Sequence, residues 1–401
     1  MKLLFLADGR SPIALNWINY FIDKGDEVHL ATTFPCLPNS RLASLTFIPV
    51  AFSQAKSENE IVNGERRRLD PFLGQGSAGL RTRLRQWLGP LTVPKAARSF
   101  RRIIDQIHPD LIHAMRIPFE GMVAASAVRS VAKITPYLAP PLVASVWGND
   151  FTFHARATPL MKRYTRNSLN IANGLHTDCQ RDQRLARQWG YPEGRQTLVV
   201  PGGGGVQAEV FYPLSKRSDE SQVHTRVINP RGFRAYVRND TFFRAIPLVL
   251  QSKPDVRFLC TAMAGESKAK KWLDFLDIHS AVELLPKVSR DEMAQLFRSA
   301  EVSVSPSIHD GTPNTLLEAM ACGCFPIAGD IESLREWIIP GENGLLIDPN
   351  KPGELAEAIL RSLSDDGLRQ KAMETNQRLI AERAEYRQVM EKVETFYRIF
   401  I

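Results

Sequence analysis

The sequence predicts an α/β protein with two Rossmann-like domains, whose parallel sheets face each other across a central cleft. Short apolar segments typical of strands alternate with amphipathic helical segments in both halves of the chain, a pattern that favours parallel sheets covered by helices. The 401 residues are enough for two hydrophobic cores, and 44% hydrophobic with 23% charged residues is an ordinary globular composition. Between the halves, residues 201–222 are rich in glycine, serine and charge.

Each half begins with a strand and continues as strand–helix repeats. The first helix starts beside Ser11 and Pro12 and ends at Gly25, residue types that favour helix starts and ends. In the second half every predicted strand is expected to precede a helix, and residues 290–300 and 352–366 are the clearest helices. We therefore place an N-terminal domain at residues 1–206 and a C-terminal domain at 207–384. The predicted strands are residues 2–7, 27–33, 45–50, 110–115, 142–147, 174–178, 197–200, 225–230, 256–262, 281–286, 302–307, 325–330 and 344–349.

Charge and cysteine content argue against a nucleic-acid-binding protein, a disulfide-rich protein and a zinc protein. The net charge is +8, and residues 65–102 hold ten Lys/Arg against two acids. This segment is either a solvated basic face or a surface for an anionic membrane or acceptor. It contains no nucleic-acid-binding motif, so nucleic acid is not an expected partner. The five scattered cysteines match neither a disulfide framework nor a zinc site, and the apolar run at residues 2–7 is too short for a signal peptide. We expect a cytoplasmic protein, at most peripheral at the inner membrane face.

The glycines after the predicted strands do not match a nicotinamide-binding fingerprint. The first βα turn has one glycine, Gly9, and Thr32 and Thr33 stand where an acid would bind a ribose. The glycine run around Gly203 is not followed by a crossover helix. That run either lets a ligand approach the backbone or forms an interdomain hinge. NAD is therefore not an expected cofactor.

A loop and helix at residues 307–324 carry the strongest functional signal. Thr312 is predicted as the N-cap and Pro313 as the first residue of a largely apolar helix, in which Glu318 is the one charged side chain. Burying that carboxylate is costly unless it is hydrogen-bonded. The free N–H groups at the start of the helix favour a diphosphate, while Glu318 and Asp310 are suited to accept hydrogen bonds from ribose and hexose hydroxyls.

Three arginines after the first strand of the second half complete this pattern. Arg231, Arg234 and Arg238 follow a strand whose carboxyl end is where α/β sheets bind ligands. They are either the cations for the diphosphate or exposed loop charges. Together these positions predict a nucleotide-sugar site. The predicted donor-binding residues are Glu318, Asn314, Thr315, Leu316, Gly311, Gly9 and Gly203.

The segments "DGTPNTLLEAMACG", "PIAGD" and "REWIIPGENGLLI" resemble the donor site of the retaining GT-B glycosyltransferases of family 4, whose hallmark is two acids separated by seven residues. The resemblance implies the GT-B architecture and a last helix, residues 385–401, that returns to the N-terminal domain. It implies that Asp310 contacts the transferred sugar and Glu318 the ribose, while Arg231 and Arg238 bind the diphosphate. The catalytic residues that it implies are Asp310, Arg231, Arg238 and His113.

The sequence also departs from the family pattern. Asp310 is one methylene shorter than the usual glutamate, and Glu332-Ser333 replaces two glycines. Met115 and Trp147 stand where many members have histidine on the acceptor side. His113 is interpreted either as an acceptor-side catalytic residue facing the cleft or as a core histidine. Asp150 either orients the acceptor or caps the next segment.

The resemblance implies a glycosyltransferase that moves a sugar from a nucleoside-diphosphate sugar to a hydroxyl of a glycan, lipid-linked or small-molecule acceptor. The anomeric configuration is retained, and the departing diphosphate takes the acceptor's proton. The chain contains no Asp-x-Asp motif, so we expect no metal and no cofactor. Two alternatives remain open: a nucleotide-sugar epimerase of the same architecture, and a catalytically silent binding subunit.

Overall fold

The computed structural model describes residues 1–37, 39–51, 53, 77–135, 139–214 and 225–401. Part of the basic segment 65–102 and part of the segment 201–222 therefore lie outside the described residues. The chain divides into two compact units. Unit 1 comprises Met1–Gly204 and Met390–Ile401, and unit 2 comprises Gly205–Val389.

Unit 1 is built on a sheet in which all described strands are parallel. Its strands are β1 (Lys2–Ala7), β2 (Glu27–Thr32), β3 (Ser44–Phe47), β4 (Leu111–Ala114), β5 (Leu142–Val146), β6 (Gly174–Thr177) and β7 (Gln196–Val199), in the order β3-β2-β1-β4-β5-β6-β7. Its helices are α1 (Pro12–Asp23), α2 (Ser77–Leu88), α3 (Val93–Ile107), α4 (Met122–Ile134), α5 (Pro159–Ile171) and α6 (Gln180–Gln188). This strand order is that of a Rossmann-like sheet.

The core of unit 1 follows from the apolar periodicity of its helices. In α1, Pro12 occupies the first turn, and Ala14, Trp17, Ile18 and Phe21 are buried at the spacing of one helical face. The central strands are apolar along their whole length because helices cover both faces of the sheet.

Unit 2 repeats the arrangement with its own parallel sheet. Its strands are β8 (Arg226–Asn229), β9 (Arg257–Cys260), β10 (Val282–Leu284), β11 (Val302–Ser305), β12 (Phe325–Gly329) and β13 (Leu345–Ile347), in the order β10-β9-β8-β11-β12-β13. Its helices are α7 (Asn239–Ser252), α8 (Ser267–Leu276), α9 (Arg290–Ser299), α10 (Asn314–Ala321), α11 (Pro352–Ser364) and α12 (Asp366–Arg383), and α13 (Tyr386–Arg398) follows, with Met390 onward in unit 1.

The strands lie where the sequence predicts them, but one predicted helix is absent. Between β12 and β13 the described residues form a series of turns instead of a helix. Asn343 holds these turns by accepting from the N–H of Ile339 (2.7 Å) and donating to the carbonyl of Trp337 (2.8 Å). A buried asparagine thus adds side-chain hydrogen bonds to the backbone hydrogen bonds of these turns.

The strand order places a topological switch point in each unit. In unit 1 the sheet grows in both directions from β1 and β4, and in unit 2 from β8 and β11. Loops that leave the carboxyl ends of these strands line the usual ligand site of an open α/β sheet. None of the helices in the described part combines the length and the apolar character needed to cross a bilayer.

Candidate donor site

Two loops at the switch point of unit 2 are joined by backbone hydrogen bonds. The N–H of Arg238 donates to the carbonyl of Pro306 (3.0 Å), and that of Ile308 donates to the carbonyl of Tyr236 (2.9 Å). The end of β12 supports them closely, since a Cβ on Gly329 would lie 2.2 Å from the carbonyl oxygen of Ser307. The segment that leads into α10 is therefore held by three neighbouring strand ends.

Helix α10 begins one residue later than predicted. Pro313 has extended backbone angles at the N-cap, and Asn314 is the first helical residue. Thr312 lies one residue before this N-cap, and its hydroxyl accepts a hydrogen bond from the Trp337 indole (2.9 Å). Within the described residues the backbone N–H groups of Asn314 and Thr315 donate to no protein acceptor. These donors remain available to an anion.

Asp310 lies in a direct ion pair with Arg231. The distance from Arg231 Nη2 to Asp310 Oδ2 is 2.7 Å, and the two side chains are 10% and 14% exposed. Arg231 Nη1 also donates to the Thr315 hydroxyl (3.3 Å), so the guanidinium reaches the first turn of α10. The buried Ser333 hydroxyl donates to the Asp310 carbonyl (2.7 Å) and so holds the loop that carries Asp310. Ser333 is one of the two residues that stand where the family pattern has glycine.

Glu318 lies one turn further along α10 and accepts no hydrogen bond from any residue that the structure describes. Burial raises the pKa of its carboxyl group to about 7, and the positive charges of Arg290 and Arg231 oppose that rise. No described protein group donates a hydrogen bond to this carboxyl group, although the charges of Arg290 and Arg231 act on it. It is available to accept hydrogen bonds from ligand hydroxyl groups.

Arg290 is a candidate site residue that the sequence analysis missed. It is the first residue of α9, directly after Ser289, which forms a capping box with Glu292. Arg290 donates to the side chain of Gln207 (3.0 Å), and its charge lowers the pKa of Glu318. The sequence around it has the form of an ordinary helix start, so nothing local distinguished it from a surface arginine.

The guanidinium of Arg238 makes no hydrogen bond to Asp310 or Glu318. It binds both carboxylate oxygens of Asp240 (2.8 and 2.6 Å) and also contacts Asn350. Arg234 is exposed and donates to the carbonyl of Arg231 (3.2 Å). The structure therefore joins Arg231, Asp310 and Thr315 by hydrogen bonds and places Glu318 within the field of Arg231 and Arg290. Arg238 contributes only its backbone N–H, which holds the loop after β11. Gly311 and Leu316 are buried in the loop and the first turn of α10.

His113 does not face an open surface, contrary to one of its two interpretations. It is 1% exposed on β4 and belongs to a chain of hydrogen bonds across the sheet. His176 Nε2 contacts the carbonyl of Val200 (3.0 Å) and must donate; Ser145 therefore donates to His176 Nδ1 (2.8 Å) and accepts from His113 Nε2 (2.7 Å). Tyr397 in α13 donates to His113 Nδ1. Burial lowers the pKa of both imidazoles, that of His176 to about 4, so both are neutral.

Asp150 is also buried and fully engaged. Its carboxylate accepts from Arg116 Nε (3.0 Å) and from the backbone N–H groups of Trp147 (3.1 Å) and Ile117 (3.3 Å). Burial raises the pKa of this carboxyl group, and Arg116 opposes the rise. These contacts tie the loop after β4 to the loop after β5, and the helical segment Asp150–His154 that begins there has no side-chain cap.

The two predicted glycines of unit 1 are both buried. The N–H of Gly9 donates to the Thr32 hydroxyl (3.0 Å), and a Cβ at Gly9 would lie 2.6 Å from Cys36 Sγ. The carbonyl of Gly203 accepts from the Asn16 amide (3.2 Å). Gly9 therefore serves close packing, and Gly203 takes part in unit 1 through its carbonyl group.

Among the described residues, one cluster has the ligand types of a metal site. The ligand atoms of Asp178, Cys179 and Asp182 lie within 4.8 Å of one another and are buried. Arg181 donates to Asp182 (2.9 Å) and to the carbonyl of Gly148 (2.7 Å). Its guanidinium already supplies the positive charge that a metal ion would bring.

Comparison with known proteins agrees with this geometry. A model described as "Glycosyl transferase 4-like domain" matches residues 12–203, and one described as "Glycosyl transferases group 1" matches residues 233–365. A D-inositol 3-phosphate glycosyltransferase of Paenarthrobacter aurescens is 29% identical over 204 residues, 48% of each chain, so the chain spans about half the length of this relative.

Solved structures share the fold over nearly the whole chain. The sucrose-phosphate synthase of Thermosynechococcus elongatus has a TM-score of 0.72 at 16% identity and covers 99% of this chain and 98% of its own. Anabaena Alr3699/HepE in complex with UDP has a TM-score of 0.70 at 18% identity and covers 99% of both chains. The predicted GT-B fold of two Rossmann-like domains and the predicted family are confirmed, and the chain belongs to the group 1 glycosyltransferases of family 4.

Proposed function

We propose that the protein transfers a hexose from a nucleoside-diphosphate sugar to a hydroxyl group of a glycan, lipid-linked or small-molecule acceptor, with retention of configuration and without a metal. The observation that carries the proposal is the set of unused polar groups around α10. The N–H groups of Asn314 and Thr315 and the carboxyl group of Glu318 have no protein hydrogen-bond partners among the described residues, and Arg231 reaches the same first turn.

These groups fit the parts of a nucleotide-sugar. The N–H groups and Arg231 suit a diphosphate, because they combine hydrogen-bond donors with positive charge at a helix N-terminus. Glu318 suits the two ribose hydroxyls, and Asp310, held by Arg231, suits a hydroxyl of the hexose. Arg290 adds positive charge near Glu318. The similar Anabaena Alr3699/HepE is known in complexes with UDP and with UDP-glucose, which favours a uridine donor.

The reaction needs no side-chain nucleophile. The bond between the anomeric carbon and the diphosphate oxygen breaks, the acceptor oxygen bonds to that carbon on the same face, and the acceptor's proton passes to the departing diphosphate. The protein positions the substrates and stabilises the developing charge with Arg231 and the N–H groups of α10.

We also propose that the protein is cytoplasmic and makes peripheral contact with an anionic membrane through the segment 65–102. In its described part, Trp87 and Leu91 are 61% and 63% exposed, and Lys95 and Arg98 are exposed nearby. Apolar side chains beside basic ones suit an anionic lipid surface. Vesicles with phosphatidylglycerol should sediment the protein at low salt, and a Trp87→Ser variant should bind them less. Equal recovery with neutral vesicles would reject this contact.

The donor site is tested by thermal-shift binding of UDP, GDP and ADP to wild type, to E318A and to E357A, a control at an exposed position of α11. We expect one nucleotide to stabilise wild type and E357A but not E318A. Stabilisation of all three proteins, or of none, would refute the site. A turnover assay then separates the enzyme classes: nucleotide release only with an acceptor indicates a transferase, conversion of the donor alone an epimerase, and no turnover a binding subunit.

A further inference from the structure

The switch point of unit 1 contains a group of arginines that the donor site does not use. Arg10 follows β1, and its guanidinium carbon lies 3.9 Å from the centre of the Phe34 ring, which follows β2. Arg85 in α2 lies 5.0 Å from the same ring centre and 4.7 Å from that of Phe119, which follows β4. These side chains therefore meet at the carboxyl edge of the sheet, where open α/β sheets bind ligands.

Two of the three arginines in this region have carboxylate partners. Arg10 binds both oxygens of Asp8 (3.0 and 2.9 Å), and Arg116 binds Asp150 (3.0 Å). Arg85 differs from both, because it makes no hydrogen bond and no ion pair within the described chain, and its Nε atom is buried without an acceptor. A buried N–H donor without an acceptor is costly, whereas the Arg85 side chain as a whole is half-buried, so its other N–H donors remain accessible to a ligand.

The nearest carboxyl group does not satisfy Arg85. Glu120 is 4% exposed and accepts a hydrogen bond from the Thr33 hydroxyl (2.6 Å), and it acts on Arg85 only through its charge. Burial lowers the pKa of Arg85, and the neighbouring charges of Arg116 and Arg10 lower it further. His154 is neutral here because burial and the charges of Arg116 and Arg85 lower its pKa to about 2. The region thus has a confined cation with excess donors, and the described residues around it supply no acceptor for them.

We propose that Arg85 binds an oxyanion of the acceptor substrate, a phosphate or carboxylate group, at the carboxyl edge of the unit 1 sheet. This inference rests on the proposed transferase function, because it assigns the chemical class of that reaction's acceptor. The rings of Phe34 and Phe119 restrict the guanidinium while its N–H groups stay unused, so little freedom is lost when an anion binds. Planar paired donors also match the geometry of these oxyanions.

The experiment compares wild type with R85M, which keeps the length of the side chain and removes the guanidinium. R83M is the matched control, because Arg83 lies two residues away on α2 and is exposed. Calorimetric titration with inorganic phosphate and with acetate, at constant ionic strength, measures the affinity of each protein. Phosphate that binds elsewhere contributes equally to all of them. We expect the phosphate or acetate Kd to rise at least about tenfold in R85M and less than about twofold in R83M.

A second arm identifies the source of the anion. Vesicles of a neutral lipid with added phosphatidic acid, which makes them anionic, are titrated against the same proteins. A loss of vesicle binding specific to R85M indicates a lipid headgroup, and a loss of binding to free phosphate or acetate alone indicates a soluble acceptor. R85K keeps the charge and should retain weakened binding, so it tests the proposal if R85M does not fold. Equal affinity of R85M and R83M for every probe, or no binding of any probe to wild type, would overturn the proposal. Nucleotide binding at the donor site is measured separately, so failure of the Arg85 site and failure of the donor site give different results.

Discussion

The unpartnered carboxyl group of Glu318 should make the stability of the protein depend on pH in a defined direction. Its pKa rises from 4.5 to about 7 on folding. Each pKa unit corresponds to about 1.4 kcal/mol, so ionised Glu318 lowers the free energy of unfolding by about 3 kcal/mol. Between pH 4.5 and about 7 the native state keeps a proton that the unfolded chain has lost. The cost is therefore small at pH 5 and complete above pH 7.

The E318Q variant removes this charge while keeping the size of the side chain. Relative to wild type, its free energy of unfolding should increase by about 2.5 kcal/mol between pH 5 and pH 8, since glutamine does not titrate. Urea unfolding at several pH values measures this difference, and E357Q on the exposed face of α11 is the control. A pH-independent difference between E318Q and wild type would refute the argument. Because the same change removes a ligand acceptor, the more stable variant should bind the donor nucleotide less tightly.

Two further changes test the packing around the two switch points. Y397F removes the hydroxyl that donates to buried His113, so the free energy of unfolding in urea should fall by about 1–3 kcal/mol. A loss below about 0.5 kcal/mol would show that this hydrogen bond contributes little. G329A places a methyl group against the carbonyl of Ser307 and should lower both the melting temperature and the nucleotide affinity. G353A in α11, where a Cβ meets nothing within 4 Å, should change neither by much, and equal effects would contradict this reasoning.

The fold was largely predictable because its strands are buried on both faces. Such strands form continuous apolar runs, and the helical segments between them leave parallel pairing as the consistent arrangement. The helix predicted between β12 and β13 is absent for a physical reason. Leu334, Trp337 and Ile338 have an apolar spacing that suits a helix, but hydrogen bonds from Asn343, a residue outside that segment, stabilise turns there.

The site was predictable where it depends on one contiguous segment and less so where it depends on distant ones. Asp310 and Glu318 follow from residues 307–324 alone, since a lone acid in an apolar helix is conspicuous. The choice among arginines depends on their partners in space: Asp240 engages Arg238, whereas Arg290 approaches from another helix. Arg85 could not be distinguished within a basic segment, because only the three-dimensional structure shows that no described residue accepts a hydrogen bond from it.

The division of the chain has a consequence for its synthesis on the ribosome. Unit 2 is contiguous, whereas unit 1 needs Met390–Ile401 in addition to its first 204 residues. Phe396 and Phe400 pack against Gly174, and Tyr397 donates to His113, so these last residues complete the core of unit 1. The part of the protein that emerges first is therefore the last to become complete. Without these residues unit 1 lacks part of its apolar cover, and exposed apolar surface of this kind favours aggregation during folding.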